Sequence, residues 1–151
     1  MIHRQAATVL LQLAKGYPIL AITGPRQAGK TTLAQATFPD KRYVSLEDPD
    51  ERAFADEDPR GFLDRFPDGA ILDEAQRCPA LFSYLQTRVD AEKRMGQFVL
   101  TGSQQFGLLS NITQTLAGRV GMVQLLPFSL DELQQGQVPI EGLSDLMWRG
   151  M

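Results

Sequence analysis

A run of nine residues near the start of the chain has the types and spacing of a phosphate-binding loop. The residues are Gly24, Pro25, Arg26, Gln27, Ala28, Gly29, Lys30, Thr31 and Thr32, and the first eight match G-x-x-x-x-G-K-[ST] in full. Glycines let the backbone wrap tightly, so that successive N–H groups point at phosphate oxygens. The ammonium of Lys30 can reach the β- and γ-phosphates, and the hydroxyl of Thr31 can ligate Mg²⁺. We therefore expect these nine residues to bind the phosphates of a nucleotide.

Two consecutive carboxylates follow a short apolar segment later in the chain. Asp73 and Glu74 come directly after residues 69–72, which are Gly-Ala-Ile-Leu. Mg²⁺ takes hard oxygen ligands and keeps several waters, one of which a carboxylate at the end of a strand can orient. Asp73 is the candidate for this metal site. Glu74 is the candidate general base, because a carboxylate over the γ-phosphate can accept a proton from an attacking water.

Two further segments contain candidates for sensing the γ-phosphate. Residues 100–105 (LTGSQQ) put polar side chains at the end of an apolar segment, where Ser103 is the first choice and Gln104 the second. Arg119 stands directly before the last apolar segment. Its fork of donors could stabilise the charge that spreads over the γ-phosphoryl oxygens during transfer. The sequence leaves open whether Arg119 would act on its own site or on that of a neighbouring subunit.

Apolar segments alternate with helical patterns along the whole chain. We predict helices over residues 2–13, 30–38, 50–55, 59–66, 81–93 and 112–116, and strands over 18–23, 42–46, 70–72, 97–101 and 121–126. The first strand has no polar alternation, which is typical of a strand buried on both faces. This order predicts an α/β fold with a parallel five-stranded sheet between two helical layers. Such sheets bind ligands beyond the carboxyl ends of their strands.

The stretch of sequence between the phosphate-binding motif and the acidic motif indicates the class of nucleotide. The predicted strand over residues 42–46 lies between Lys30 and Asp73, so the acidic strand is not the next one after the phosphate-binding loop. That spacing is expected of ATPases with an additional central strand and a catalytic glutamate. No NKxD-type guanine-recognition motif is present. ATP with Mg²⁺ is therefore the expected ligand.

Composition excludes several other kinds of protein. Cys78 is the single cysteine and His3 the single histidine, which argues against a zinc cluster or Cys/His catalysis. Residues 47–74 hold eleven acidic and three basic residues, and the net charge is −3, so the chain lacks the basic stripe of a nucleic-acid-binding protein. No apolar run approaches the ~20 residues that span a bilayer. We expect a cytoplasmic protein of one domain over residues 1–151.

Taken together, the segments GPRQAGKTT, ILDEAQ, VLTGSQQ, LAGRV and LLPFSLDEL resemble a prokaryotic family of AAA+-type predicted ATPases. The resemblance runs from Ile2 to about Trp148, which is essentially the whole chain. It implies a P-loop NTPase core with strand order 5-1-4-3-2, in which Asp73 and Glu74 form the Walker B pair and Ser103 and Arg119 are sensing positions. It also implies a C-terminal domain after the ATPase domain, so we expect this chain to be an ATPase domain without that partner domain.

Three activities remain open at this stage. The first is ATP hydrolysis that drives a change in a partner or attached domain, and Glu74 is the residue that favours it. The second is a nucleotide-gated binding module with negligible turnover, in which ATP or ADP acts as a switch. The third is a small-molecule phosphotransferase, which a glutamate after the metal-binding aspartate makes less favourable. A homo-oligomer is possible under any of the three.

Overall fold

The computed structural model describes residues 2–25, 29–102, 110, 112 and 115–125. Its strands are β1 (Ile19–Thr23), β2 (Arg42–Ser45), β3 (Ala70–Asp73), β4 (Phe98–Gly102) and β5 (Val120–Gln124). Its helices are α1 (Ile2–Leu13), α2 (Lys30–Thr37), α3 (Pro49–Glu57), α4 (Pro59–Asp64) and α5 (Ala80–Glu92). A short 3₁₀ turn, Ala75–Arg77, directly follows the end of β3 and Glu74. Strands and helices therefore alternate as the sequence predicts.

The five strands form one parallel sheet in the order β2-β3-β4-β1-β5. This is the predicted order, and it puts β4 between the strand that precedes the phosphate-binding loop and the acidic strand. Ile19 of β1 lies level with Phe98 of β4 on one side and with Val120 of β5 on the other. The carboxyl ends of β1, β3 and β4 therefore meet at one edge of the sheet, where the candidate site lies.

Each face of the sheet is covered by its own set of helices. Successive side chains of a strand point to opposite faces, so Ile19 and Ala21 enter one apolar core while Leu20 and Ile22 enter the other. The first core also contains apolar side chains of α3, α4 and α5, and the second contains those of α1 and α2. All five residues of β1 are buried, which explains why its sequence is apolar without alternation.

Capping residues determine where the two acidic helices begin. Asp48 accepts a hydrogen bond from the backbone N–H of Asp50 at 2.9 Å and is followed by Pro49 at the first helical position of α3. Asp58 caps α4 in the same way. It accepts a hydrogen bond from the backbone N–H of Gly61 at 3.0 Å and is followed by Pro59 at the start of the helix. α3 begins one residue before the predicted segment and ends two residues after it, whereas α4 begins at the predicted residue and ends two residues earlier than predicted. Apolar periodicity alone does not locate these ends.

The predicted helix over residues 112–116 is described only in part. Ile112 and Thr115 are helical, as is Ser110, whereas Leu116 already belongs to the turn before β5. Ile112 and Leu116 are both buried in the core beneath α3, α4 and α5. In the part of the chain that the structure describes, no helix has the length and hydrophobicity needed to cross a membrane.

Candidate nucleotide site

The predicted phosphate-binding loop connects the carboxyl end of β1 to the amino end of α2. Gly24 opens the loop with φ 152°, and a Cβ atom on this residue would lie 2.5 Å from the carbonyl oxygen of Leu125. Gly29 closes the loop with φ 88° as the N-cap of α2 and has no capping side chain. Both backbone positions therefore require glycine. Arg26, Gln27 and Ala28, which we predict to contact phosphate, lie outside the described residues.

The first turn of α2 carries the residues that the motif assigns to phosphate and metal. Lys30 is buried, and its ammonium donates a hydrogen bond to the carbonyl oxygen of Pro25 at 2.8 Å. The side chain therefore lies across the loop. Thr31 is half-buried and Thr32 is exposed. Because α2 begins here without a side-chain cap, its first backbone N–H groups add positive potential to the same place.

Thr31 and Asp73, the two predicted metal ligands, are brought together although 42 residues separate them. The Thr31 hydroxyl donates to Oδ1 of Asp73 at 2.9 Å. Asp73 is the last residue of β3 and is buried, so its carboxylate lies at the edge of the sheet beside α2. This contact joins the phosphate-binding loop to the acidic strand in a single site.

Two residues that sequence reasoning missed also hold Asp73. Thr101 of β4 is fully buried, and its hydroxyl donates a short hydrogen bond to Oδ1 of Asp73. Tyr43 of β2 donates from its hydroxyl to Oδ2 at 2.7 Å. Burial, followed by this bond to the carboxylate, raises the pKa of Tyr43, so the phenol stays protonated and acts as a donor. Strand alternation could have indicated Thr101, which points to the same face as Val99.

Glu74 has a backbone conformation that is rare for a residue with a side chain. Its φ of 57° and ψ of 50° lie in the left-handed region, which carries a cost for any residue other than glycine. Its backbone N–H donates to the Thr101 hydroxyl at 3.1 Å, and its carboxylate accepts from the side-chain amide of Gln76 at 2.7 Å. Strained backbone of this kind is concentrated at functional sites. The turn redirects the chain immediately after the metal-binding candidate.

The structure does not place Arg119 at the ligand-facing edge of the sheet. This residue directly precedes β5, which runs parallel to β1, so it lies at the amino ends of the strands. The phosphate-binding loop lies at the other end of β1, roughly 15 Å away for a five-residue strand. Its guanidinium makes two hydrogen bonds of 2.8 Å to the carboxylate of Asp90 in α5, and these bonds lower the pKa of Asp90.

The sequence also draws attention to Ser103, Gln104 and Cys78. Ser103 and Gln104, the candidate sensors at the end of β4, lie outside the described residues. Cys78 is buried after the 3₁₀ turn, and its thiol donates to Oδ1 of Asp56 at 3.1 Å. Burial and this bond raise the pKa of Cys78 to about 12. The thiol is therefore protonated at neutral pH and has no nucleophilic role.

The donor set fits a magnesium ion bound together with phosphate. Among the described residues there is no group of three or more His, Cys, Asp and Glu side chains arranged to hold a metal. Mg²⁺ is commonly held by one or two protein oxygens, phosphate oxygens and waters, which is what Thr31 and Asp73 could contribute. Lys30 and the amino end of α2 supply the positive charge that phosphate requires.

Comparison with known proteins identifies the family. A family model described as an AAA domain matches residues 16–134. The chain belongs to this AAA domain family. It is 35% identical over 126 residues to an uncharacterized protein of Mycobacterium tuberculosis and to another of Mycobacterium bovis, and the match covers 82% of this chain. The chain spans 28% of the length of these curated relatives.

Solved structures share the fold of this AAA domain. The Walker-type ATPase of Pyrococcus abyssi matches with a TM-score of 0.56 and 17% identity, covering 97% of this chain and 64% of that one. The P-loop NTPase domain of a sigma-54 activator from E. coli matches with a TM-score of 0.57 and 16% identity, covering 83% of this chain and 94% of that one. AMPPCP-bound DnaA from Aquifex aeolicus matches with a TM-score of 0.54 and 18% identity, covering 95% of this chain and 55% of that one. The chain therefore shares the α/β fold of these P-loop proteins.

Proposed function

We propose that this AAA domain binds Mg-ATP in the loop between β1 and α2 and hydrolyses it. The observation that carries the proposal is the 2.9 Å hydrogen bond from Thr31 to Asp73, which joins the end of the phosphate-binding loop to the acidic strand. Two sequence motifs with complementary chemistry thus meet at one edge of the sheet. A chance strand end with two acids would not be expected to contact the phosphate-binding helix.

Binding rests on groups that offset the phosphate charge. Backbone N–H groups of the loop, other than at Pro25, which has none, and of the first turn of α2 donate to the phosphate oxygens. Thr32 belongs to the same turn. Lys30 leaves the carbonyl of Pro25 and pairs with the β- and γ-phosphates. Thr31 and Asp73 hold the magnesium ion. When bound, that ion neutralises charge that develops on the transferred phosphoryl group.

Hydrolysis needs a water that is oriented and deprotonated. Glu74 accepts the proton of the water, whose oxygen forms a bond to the γ-phosphorus while the bond to the β–γ bridging oxygen breaks. ADP and inorganic phosphate are the products. Gln76 holds one oxygen of Glu74, which restricts the rotation of the carboxylate. The left-handed backbone of Glu74 supports this role, because strained backbone is concentrated at functional sites.

A nucleotide-gated binding module with negligible turnover is the second candidate, and one observation favours it. Arg119 is held by Asp90 at the edge of the sheet opposite the phosphate-binding loop. An isolated chain would therefore lack this arginine at its own site, and turnover would depend on a second subunit. In either case the nucleotide state would act on an attached domain or a partner, as the greater length of the curated relatives suggests. A cytoplasmic location remains a prediction.

Replacing Lys30 by alanine tests nucleotide binding directly. We expect Lys30→Ala to abolish measurable binding of ATP in calorimetry, because the ammonium that offsets the β- and γ-phosphate charge is removed. Lys15→Ala is the matched control, since Lys15 is an exposed lysine between α1 and β1. Wild-type affinity in Lys30→Ala, with the fold intact by circular dichroism, would overturn the assignment of the loop.

A further inference from the structure

Tyr43 joins the edge strand of the sheet to the metal-binding candidate. It lies on β2, level with Ile71 of β3, and paired residues of parallel strands point to the same face. Ile71 packs in the core beneath α1 and α2, so Tyr43 is on the α2 side of the sheet together with Asp73. Tyr43 is 40% exposed, yet its hydroxyl reaches Oδ2 of Asp73 at 2.7 Å. The hydroxyl thus serves the site, whereas the ring contributes little to the core.

The hydrogen bonds to Asp73 leave a defined part of its carboxylate available. A carboxylate has about four acceptor positions, two on each oxygen. Oδ1 accepts from the hydroxyls of Thr31 and Thr101, which fills both of its positions. Oδ2 accepts from Tyr43, which fills one. The remaining position is therefore on Oδ2, and the bond from Tyr43 determines where it points.

We propose that Tyr43 is a positioning residue for magnesium. Its hydroxyl fixes the rotation of the Asp73 carboxylate, so that the remaining acceptor position of Oδ2 is held ready for the ion or for a water bound to it. Residues that orient a metal ligand in this way contribute to metal affinity without touching the metal. The inference rests on the proposed Mg-ATP site and adds a residue from β2, a strand that carries none of the motif residues.

The test compares nucleotide affinity with and without magnesium. ADP is titrated calorimetrically into the wild-type chain and its variants, once in Mg²⁺ and once in EDTA, so no turnover is involved. The variants are Tyr43→Phe, which keeps the ring and removes only the hydroxyl, and Tyr84→Phe, the same change at an exposed tyrosine of α5. Asp73→Asn serves as the reference for loss of the metal carboxylate. Thermal unfolding without nucleotide reports on structural damage.

We expect Tyr43→Phe to retain wild-type ADP affinity in EDTA. The factor by which Mg²⁺ increases that affinity should be roughly tenfold smaller than in the wild type, which is the scale found for residues that orient metal ligands. Its unfolding midpoint without nucleotide should match that of Tyr84→Phe, and Tyr84→Phe should keep the full enhancement. Direct titration of Mn²⁺ into the ADP complex, followed by electron paramagnetic resonance, should show the same weakening.

Other outcomes separate this inference from the proposed function. If Tyr43→Phe keeps the full enhancement while Asp73→Asn loses it, Tyr43 does not position the metal ligand and the Mg-ATP site stands. If Tyr43→Phe lowers affinity equally in Mg²⁺ and in EDTA, its role is structural and the inference is wrong. If the wild-type chain binds ADP equally well in Mg²⁺ and in EDTA, the magnesium site of the proposed function is wrong, and the role of Tyr43 is wrong with it.

Discussion

At the scale of single residues, one hydroxyl connects the two acidic residues of the candidate site, through the carboxylate of Asp73 and the backbone N–H of Glu74. Thr101 donates to Oδ1 of Asp73 and accepts from the backbone N–H of Glu74, and it is fully buried. A buried donor that loses its acceptor retains the cost of leaving water. Thr101 therefore contributes both to stability and to the geometry of the two residues that follow each other at the end of β3.

Replacing Thr101 by valine should expose this double role. Thr101→Val keeps the β-branched shape but leaves the N–H of Glu74 without its partner, so we expect a loss of about 1–3 kcal/mol in the free energy of unfolding. Turnover should fall with it. Thr37→Val is the control, because among the described residues the Thr37 hydroxyl is buried without a hydrogen-bond partner. Chemical denaturation measures both variants, and equal stability of the two would contradict the role of Thr101.

The residues of the site differ in how far the sequence could predict them. Four candidates, Lys30, Thr31, Asp73 and Glu74, belong to contiguous motifs whose chemistry can be recognised locally. The structure brings Thr31 and Asp73 into contact. Tyr43 and Thr101 come from strands that carry no such motif. Their contacts depend on strand register and on the face to which each side chain points, which a single sequence does not specify.

At the scale of elements, strand direction decides what Arg119 can reach. Because every strand is parallel, a residue that precedes β5 lies at the amino edge, whereas the phosphate-binding loop follows the carboxyl end of β1. The sequence indicated an arginine close to the last strand but not the edge on which it lies. Its bonds to Asp90 instead connect the entry of β5 to α5. A catalytic role then requires a neighbouring subunit.

Mixing two inactive variants tests that role. If Arg119 acts on a neighbour's γ-phosphate, Arg119→Ala should lower turnover by about 10³-fold or more, and wild-type specific activity should rise with protein concentration. An equimolar mixture of Arg119→Ala and Lys30→Ala should recover part of the activity, because the second variant supplies the arginine and the first an intact loop. Stability should change little, since the pair with Asp90 is on the surface.

Turnover of Arg119→Ala equal to that of the wild type at every concentration would leave Arg119 as a surface arginine. Steady-state phosphate release at several protein concentrations is sufficient to decide this.

Most helices and strands could be predicted because the types of their residues and the spacing of those residues indicate the same element. The run ILAIT of β1 is apolar up to Thr23 and is buried on both faces. The α2 pattern begins immediately after Gly29. The strand order came from resemblance to ATPases rather than from the strands themselves, since four or five apolar residues carry no information about neighbours. The ends of α3 and α4 depend on the caps Asp48 and Asp58.

At the scale of the whole molecule, the candidate nucleotide site and Arg119 lie at opposite edges of the sheet. The phosphate-binding loop, Asp73 and Glu74 lie beyond the carboxyl ends of the strands, and Arg119 lies at their amino ends. A nucleotide bound at one edge could therefore be sensed by a second copy that contributes its opposite edge. The curated relatives are about three and a half times as long as the matched segment.

The measurement that tests the central claim most directly is ATP turnover by Glu74→Gln alongside its affinity for ATP. The change keeps the shape of the side chain and its place beside Gln76 but removes the carboxylate that accepts the proton of the attacking water. We expect turnover at least ~100-fold below wild type with nearly unchanged affinity, and wild-type turnover in the control Glu57→Gln, an exposed residue of α3. Wild-type turnover in Glu74→Gln, or loss of ATP binding with turnover retained, would contradict hydrolysis through Glu74.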